Sequence, residues 1–295
     1  MSIASAIEER ALLSVDRGWR GWSRLRGDAW GLAGLTLVCI FAALAVADLT
    51  GVLGQGWSRA GGEQWEGASF AHWFGTNRLG QDIFDRAVHG ARVAFQVGLA
   101  VSLSACFLGA LLGALAGWRP GALLDDLVLW LMGVLDSVPF YLFAAALVFA
   151  LQGAEWGMYV AMIACFWTST GRLVRAEVMR LRTLGFVESA RAIGIPGFTV
   201  VFRHLLPNTS HLLLVQGTLT FVAAVKTEVI LSFLGLGLRD SVSWGSMLAE
   251  STQDILSGHF GNFVGASTFL FALLLGLNLL ADALHDAIDL RGVSL

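Results

Sequence analysis

Six stretches of the chain stay apolar long enough to cross a bilayer, near residues 30–50, 92–117, 127–151, 156–171, 211–237 and 260–284. A helix of about 20 apolar residues spans the ~30 Å hydrocarbon core, so each stretch predicts one crossing. The expected fold is therefore all-α and polytopic, with six transmembrane helices. The fourth stretch is short, and Asp136 and Pro139 interrupt the third, so those two have the least sharp ends.

Composition agrees with the pattern. Hydrophobic residues make up 56% of the 295 positions and charged residues 14%, against roughly half and a quarter in soluble domains. The formal charge of −3 offers no basic surface for nucleic acid. The first 29 residues hold five arginines with Glu8 and Glu9 but no apolar core of signal-peptide type, so the first span should act as an uncleaved anchor. With the N-terminus inside, 13 arginines fall on the cytoplasmic side and five (Arg59, Arg78, Arg86, Arg92, Arg239) on the other. This positive-inside bias places both termini in the cytoplasm, together with a loop over 172–207. Segments 1–29 and 292–295 read as cytoplasmic ends of a membrane domain over 30–291.

The 172–207 loop is charged and twice broken. Arg172 to Arg182 reads as a helix leaving the membrane, and a second piece follows with Phe186, Ala190 and Ile193 on one apolar face. Glu188 and Arg191 are expected side by side on its polar flank. Gly194-Ile-Pro-Gly197 stops that helix, and a third piece from Phe198 ends at Pro207. Two short helices at an angle make a plug for a groove on another protein. On the opposite side, segment 48–91 is rich in Gly and Trp and reads as an ordered external segment with an amphipathic surface helix near Asp82–His89.

Several residues inside the spans stand out. Gly109, Gly113 and Gly117 recur every four residues and form a smooth strip for close helix packing, within the chain or against a partner. Lys226 and Glu228 lie in the fifth span, where an isolated charge costs about 2.5–3.5 kcal/mol at mid-bilayer. Two residues apart, they point to different faces, and they either line a translocation path or are paired and snorkelling. Asp136 is a further candidate for that path. Asp282, Asp286 and Asp289 form a stripe that reads as a solvated face. Cys39, Cys106 and Cys165 lie singly in apolar surroundings and read as small buried hydrophobes, and the dispersed histidines hold no metal-site spacing.

The loop resembles the EAA loop of ABC importer permeases: Glu188-x-Ala190, then Gly194, then Leu206-Pro207, with Ser189 where the family has a second Ala. Arg172-Leu-Val-Arg-Ala-Glu177 and Arg203-His-Leu-Leu-Pro-Asn208 are similar to the dipeptide/oligopeptide/nickel branch. So are Phe74-Gly-Thr76, Leu79-Gly-Gln-Asp82, Glu228 with Leu231-Ser-Phe-Leu-Gly-Leu-Gly237, Ser243-Trp-Gly-Ser246 and Asn278-Leu-Leu-Ala-Asp282. Two departures are visible. Met132-Gly-Val-Leu-Asp136 lacks the Arg of the family's Met-Arg-x-x-Asp, and Leu238-Arg-Asp-Ser-Val242 replaces a proline-rich run.

The resemblance implies a permease subunit in a bacterial cytoplasmic membrane that passes peptides, with nickel or another small solute as the alternative cargo. It implies that Glu188, Ala190, Gly194, Arg203, Leu206 and Pro207 couple the subunit to ATPases. It also implies the partners: a second homologous permease, two ATPase subunits, an extracytoplasmic substrate-binding protein and membrane lipid. ATP and Mg would sit on the ATPases, with no cofactor in this chain. In keeping with that, the single lysine, Lys226, is preceded by Val225 and forms no Walker A cradle, and no GxSxG motif occurs. The chain is therefore not expected to be an enzyme by itself. A stand-alone secondary transporter, the rival reading, leaves the 172–207 loop unexplained.

Overall fold

The computed structural model describes residues 28–151 and 154–288. The segment 1–29 lies outside them save for Asp28 and Ala29, and the tail 292–295 lies outside altogether. Among the described residues the chain is helical, with no strand and two isolated β-bridges, Ala60–Gln81 and Thr76–Asp82. The helices are α1 (Ala29–Leu49), α2 (Ile83–Trp118), α3 (Leu123–Ser137), α4 (Phe140–Ala150), α5 (Glu155–Leu181) and α6 (Gly185–Ala192). They continue with α7 (Gly197–Val200), a π turn (Val201–Leu205), α8 (Leu206–Asn208), α9 (Ser210–Phe233), α10 (Trp244–Leu256) and α11 (Gly261–Ile288).

A helix underlies each of the six apolar stretches. α1, α2, α9 and α11 are long and apolar enough to cross a membrane, and the α3–α4 pair counts as a fifth span if taken as one. That pair is bent by 95°. Pro139 causes the break: it disfavours helical backbone at Val138, which is extended, and then serves as the N-cap of α4. α5 runs 27 residues, ten beyond the apolar stretch, with Arg172, Arg175 and Arg180 on its second half.

Among the described residues the chain divides into two compact units, 28–41 with 272–288, and 42–271. In the first, glycines bring α1 and α11 close. A methyl group on Gly34 would lie 2.7 Å from the Leu280 nitrogen, and one on Gly276 would lie 2.7 Å from Leu37 Cβ.

The second unit is built around α2. Val93, Val97 and Val101, spaced by four, bury one stripe of α2 against Met158, Ala161 and Met162 of α5 and Ala224 and Leu231 of α9. Further along, the Gly109–Gly113–Gly117 strip meets α5 backbone to backbone. A Cβ on Gly109 would lie 2.6 Å from the Trp167 carbonyl, one on Gly117 2.6 Å from that of Arg175, and one on Gly113 would collide with Gly171. The strip thus packs within the chain.

α2 also begins nine residues before the expected span. The amphipathic helix expected on the surface near Asp82–His89 is instead its first turns, with Ile83 and every residue from Arg86 to Ala91 buried and Phe84 and Asp85 partly exposed. Asp82 caps it, accepting from the Asp85 amide at 3.0 Å. The polar residues that hid this helix in the apolar pattern are satisfied by partners distant in sequence. Arg86, 4% exposed, donates from Nη2 to both carboxylate oxygens of Glu250 at 2.7 and 2.8 Å, and His89 meets Asp48.

α10 carries no apolar span and was not foreseen. A reciprocal capping box between Ser243 and Ser246 starts it. Its Trp244 packs onto Gly90, where a Cβ would sit 2.6 Å from the indole ring, and donates from Nε1 to the Ala87 carbonyl at 2.9 Å. Segment 50–82 is ordered as expected, tied to α2 through His72 Nδ1 and Asp82 Oδ2 at 2.5 Å. The hydrogen bond to Asp82 raises the His72 pKa above its ordinary value.

Two outcomes are expected. Gly113→Leu forces α2 and α5 apart and lowers stability by about 3 kcal/mol or more, read as a fall in thermal midpoint by tryptophan fluorescence in detergent. The His72–Asp82 tie is complete below the ordinary His pKa of about 6.5 and is lost as pH rises through the raised folded value. Limited proteolysis within 50–82 should therefore quicken on moving from pH 6 to pH 9, and His72→Gln should remove that dependence.

Candidate coupling loop and intramembrane polar groups

The connection from α5 to α9 is a string of short helical pieces seated on one apolar cluster. Val174, Val178 and Leu181 of α5 form its floor with Ala110 and Ala114 of α2. Val187 and Ala190 of α6 and Val200, Val201 and Leu205 pack onto them. The buried face of α6 is thus Val187 with Ala190, and Phe186 lies beside it, partly covered. Ile193, expected on that face, is 77% exposed. The helix ends at Ala192, so Ile193 leaves the 3.6-residue period and turns outward.

Gly194 accounts for that turn. Its φ is +82°, the left-handed region, and two bonds close the helix end: Gly194 N–H to Arg191 O at 2.9 Å and Ile195 N–H to Ala190 O at 3.1 Å. This is a Schellman cap, which favours glycine because a Cβ strains the left-handed backbone. Nothing lies within 4 Å of where that Cβ would be, so the requirement at Gly194 is one of backbone alone.

Pro207 does not end the third piece as expected. Helical backbone continues through it into α9, with Thr209 the one residue between helices. A proline ring clashes with the carbonyl four residues back and supplies no N–H. The π turn widens the helix just ahead of Pro207: the Leu206 amide reaches back five residues to Val201 O, and Asn208 Nδ2 donates to the His204 carbonyl at 2.5 Å. Arg203 and Pro207 are exposed, and Leu206 is partly buried on the cluster.

Trp118, the last residue of α2, locks the loop to the bundle, a role not read from the sequence. The Arg191 guanidinium lies 4.3 Å above its ring, Arg182 donates to its carbonyl at 3.3 Å, and Gly197 packs against its indole. Arg191 therefore turns to Trp118, and Glu188 stands exposed with Ser189. Leu184, Ile193 and Phe198 are exposed around it, Phe198 to 69%.

Of the polar residues in the spans, Asp136 pairs with Arg172 and accepts from Thr168 Oγ1 at 3.2 Å. Arg172 of α5 thus supplies the charge that the missing Arg of the Met-x-x-x-Asp segment does not. A second pair was not foreseen: Arg175 forks onto Asp125, 2% exposed, at 2.6 and 2.8 Å. Lys226 is exposed, while Glu228 is 1% exposed and accepts from Ser232 Oγ at 2.5 Å. The two face apart, as their spacing requires. Asp282 and Asp286 are exposed, and Asp289 lies outside the described residues. Cys106 and Cys165 are partly buried, whereas Cys39 is exposed on α1, correcting the expectation of burial there.

Helices long and apolar enough to cross a bilayer, with a glycine-capped helical elbow between α5 and α9, are the architecture of a membrane protein. The chain belongs to the family of binding-protein-dependent transport system inner membrane components, whose model matches residues 109–292. It is 33% identical over 274 residues to the dipeptide transport system permease protein DppC of Bacillus subtilis, covering 91% of this chain and 84% of that protein. It is 36% identical over 227 residues to the glutathione transport system permease protein GsiD of Pectobacterium atrosepticum, covering 76% and 74%. To the oligopeptide transport system permease protein OppC of Bacillus subtilis it is 32% identical over 219 residues, covering 74% and 71%.

Gly194→Ala should cost roughly 1–2 kcal/mol through left-handed strain, with Gly194→Asn recovering part of it. Hydrogen exchange at the Ile195 amide reads the cap: faster exchange in the Ala variant than in the Asn variant is the expected order.

Proposed function

We propose that the chain forms half of the translocation path of an ATP-driven importer of di- and oligopeptides, the other half being a second, homologous permease. The names of its relatives, dipeptide, oligopeptide and glutathione permeases, support peptide as cargo. All six apolar helices cross the membrane in this reading, α3–α4 as a bent span and α5 with its arginine half emerging in the cytoplasm. The arginine distribution supports cytoplasmic termini and a cytoplasmic α6. Domain 30–291 is then the permease domain.

The observation that carries the reading is the seating of α6. A helix of eight residues is too short to hold itself in water, yet this one is fixed by a buried face, a Schellman cap and Trp118. Its outward surface combines Glu188 with the apolar Leu184, Ile193 and Phe198. Such a knob transmits displacement without deforming, and it suits the groove of a separate ATPase subunit that holds ATP and Mg. Glu188, Ala190, Gly194, Arg203, Leu206 and Pro207 serve this coupling, Ala190 and Gly194 by shaping the knob and Glu188 by touching the partner. ATP-driven closure of two ATPases shifts the knob, and α5 and α9 carry the shift into the bundle. An extracytoplasmic binding protein delivers cargo at the other end. From His89 to Trp118 the rise along α2 is about 45 Å, more than the ~30 Å hydrocarbon core, so the two ends work on opposite sides of the bilayer.

Glu188→Arg is expected to leave membrane insertion and thermal stability unchanged while reducing co-purification of the ATPases and peptide uptake at least tenfold. Undiminished co-purification of the ATPases with this variant would remove α6 as their docking element.

A further inference from the structure

The end of α2 that carries segment 50–82 opens into a cavity of about 560 Å3, within the 300–1,000 Å3 range of small-ligand sites. Its walls come from four separate parts of the chain: Trp57, the start of α2 with His89 and Arg92, the start of α5 with Trp156 and Tyr159, and the 238–241 connection with Asp240. All lie in the second compact unit.

The charged groups here are held from behind. Asp48, fully buried, receives His89 Nδ1 at 3.1 Å and Arg92 at 3.2 Å. His89 in turn reaches Ser241 Oγ from Nε2 at 3.0 Å and stacks on Trp57 at 4.7 Å. The connection carrying Asp240 is thereby pinned to α2, in the stretch where Leu238-Arg-Asp-Ser-Val242 replaces the proline-rich run of the branch.

What remains unused is chemically specific. Arg92 gives one nitrogen to Asp48, its side chain is 37% exposed, and a guanidinium has further donors in a fork that fits a carboxylate. Asp240 presents an exposed carboxylate to the same space. Tyr159, bonded to Gln96 at 3.3 Å, joins Trp57 and Trp156 in an aromatic wall. A cation, an anion and aromatic faces around one cavity match a zwitterion with apolar side chains.

We propose that this cavity is a subsite for a short peptide with free termini, Arg92 taking the α-carboxylate, Asp240 the α-ammonium and the aromatic wall the side chains. It rests on the peptide reading above and adds to it a place within this chain where cargo is held.

The test uses the permease–ATPase assembly without binding protein, in nanodiscs of phosphatidylglycerol alone, which removes zwitterionic headgroups. Tritiated Ala-Phe, its N-acetyl form and its C-amide form are the probes, read by equilibrium dialysis. Asp240→Asn is expected to weaken free Ala-Phe about tenfold, as loss of one charge-assisted hydrogen bond does, while N-acetyl-Ala-Phe stays within about twofold and Asp240→Glu recovers most of the loss. Arg92→Gln should weaken the free peptide similarly and leave the C-amide form within about twofold. Equal effects on free and blocked peptides, no effect, or no binding by the wild-type assembly each overturn the subsite. Peptide uptake by the wild-type complex with its binding protein is measured alongside. Uptake intact with any of those results leaves the peptide reading standing and removes the subsite; absence of uptake removes both.

Discussion

The close contact of α2 with α5 is the constraint on which the larger unit depends. Gly109, Gly113 and Gly117 let the α5 backbone approach until carbonyls of one helix face bare α-carbons of the other. In hydrocarbon, lipid tails are as apolar as side chains, so burial alone does not hold two helices together. Close packing and internal polar pairs must do so. The seam supplies the packing, and Arg175 with Asp125 and Arg172 with Asp136 supply polar pairs along the same helix. The α6 elbow follows from this, because its floor is the C-terminal part of α5 laid against Ala110, Ala114 and Trp118 of α2.

The other end of α2 is held by different means. There, buried charges are paired across long sequence separations: Arg86 with Glu250, and Asp48 with His89 and Arg92. A buried ion pair adds little net stability compared with apolar packing, but breaking one is costly, so such pairs fix arrangement more than they add strength. The two ends of one long helix thus carry an apolar seat for the α6 elbow and a polar clamp around a cavity.

Much of this was legible in the chain. Periodicity and span length placed a helix under each of the six apolar stretches, though α2 starts nine residues earlier and α5 ends ten residues later than the apolar pattern, and Gly194 with Pro196 marked the elbow. The differences have three physical causes. The start of α2 and all of α10 were missed because their polar residues read as surface, whereas Arg86, His89 and Asp254 are buried. Only residues from other segments make such burial tolerable, and no local window contains them. Ile193 reads as inward only if the α6 period extends one residue past the cap that ends it. Pro207 reads as a terminator because a proline normally breaks the i to i−4 ladder, and the π turn that accommodates it is visible only in three dimensions.

The sequence by itself determined that this is a helical membrane protein, where its apolar helices lie, and that a glycine-capped elbow interrupts them. Those properties depend on backbone sterics and transfer to hydrocarbon, which act residue by residue. Only the tertiary structure decided which helix the glycine strip meets, which cations answer the buried Asp48 and Asp125, and that Arg92 and Asp240 border one cavity. These depend on distances between segments far apart in the chain, and such distances exist only once the helices have packed.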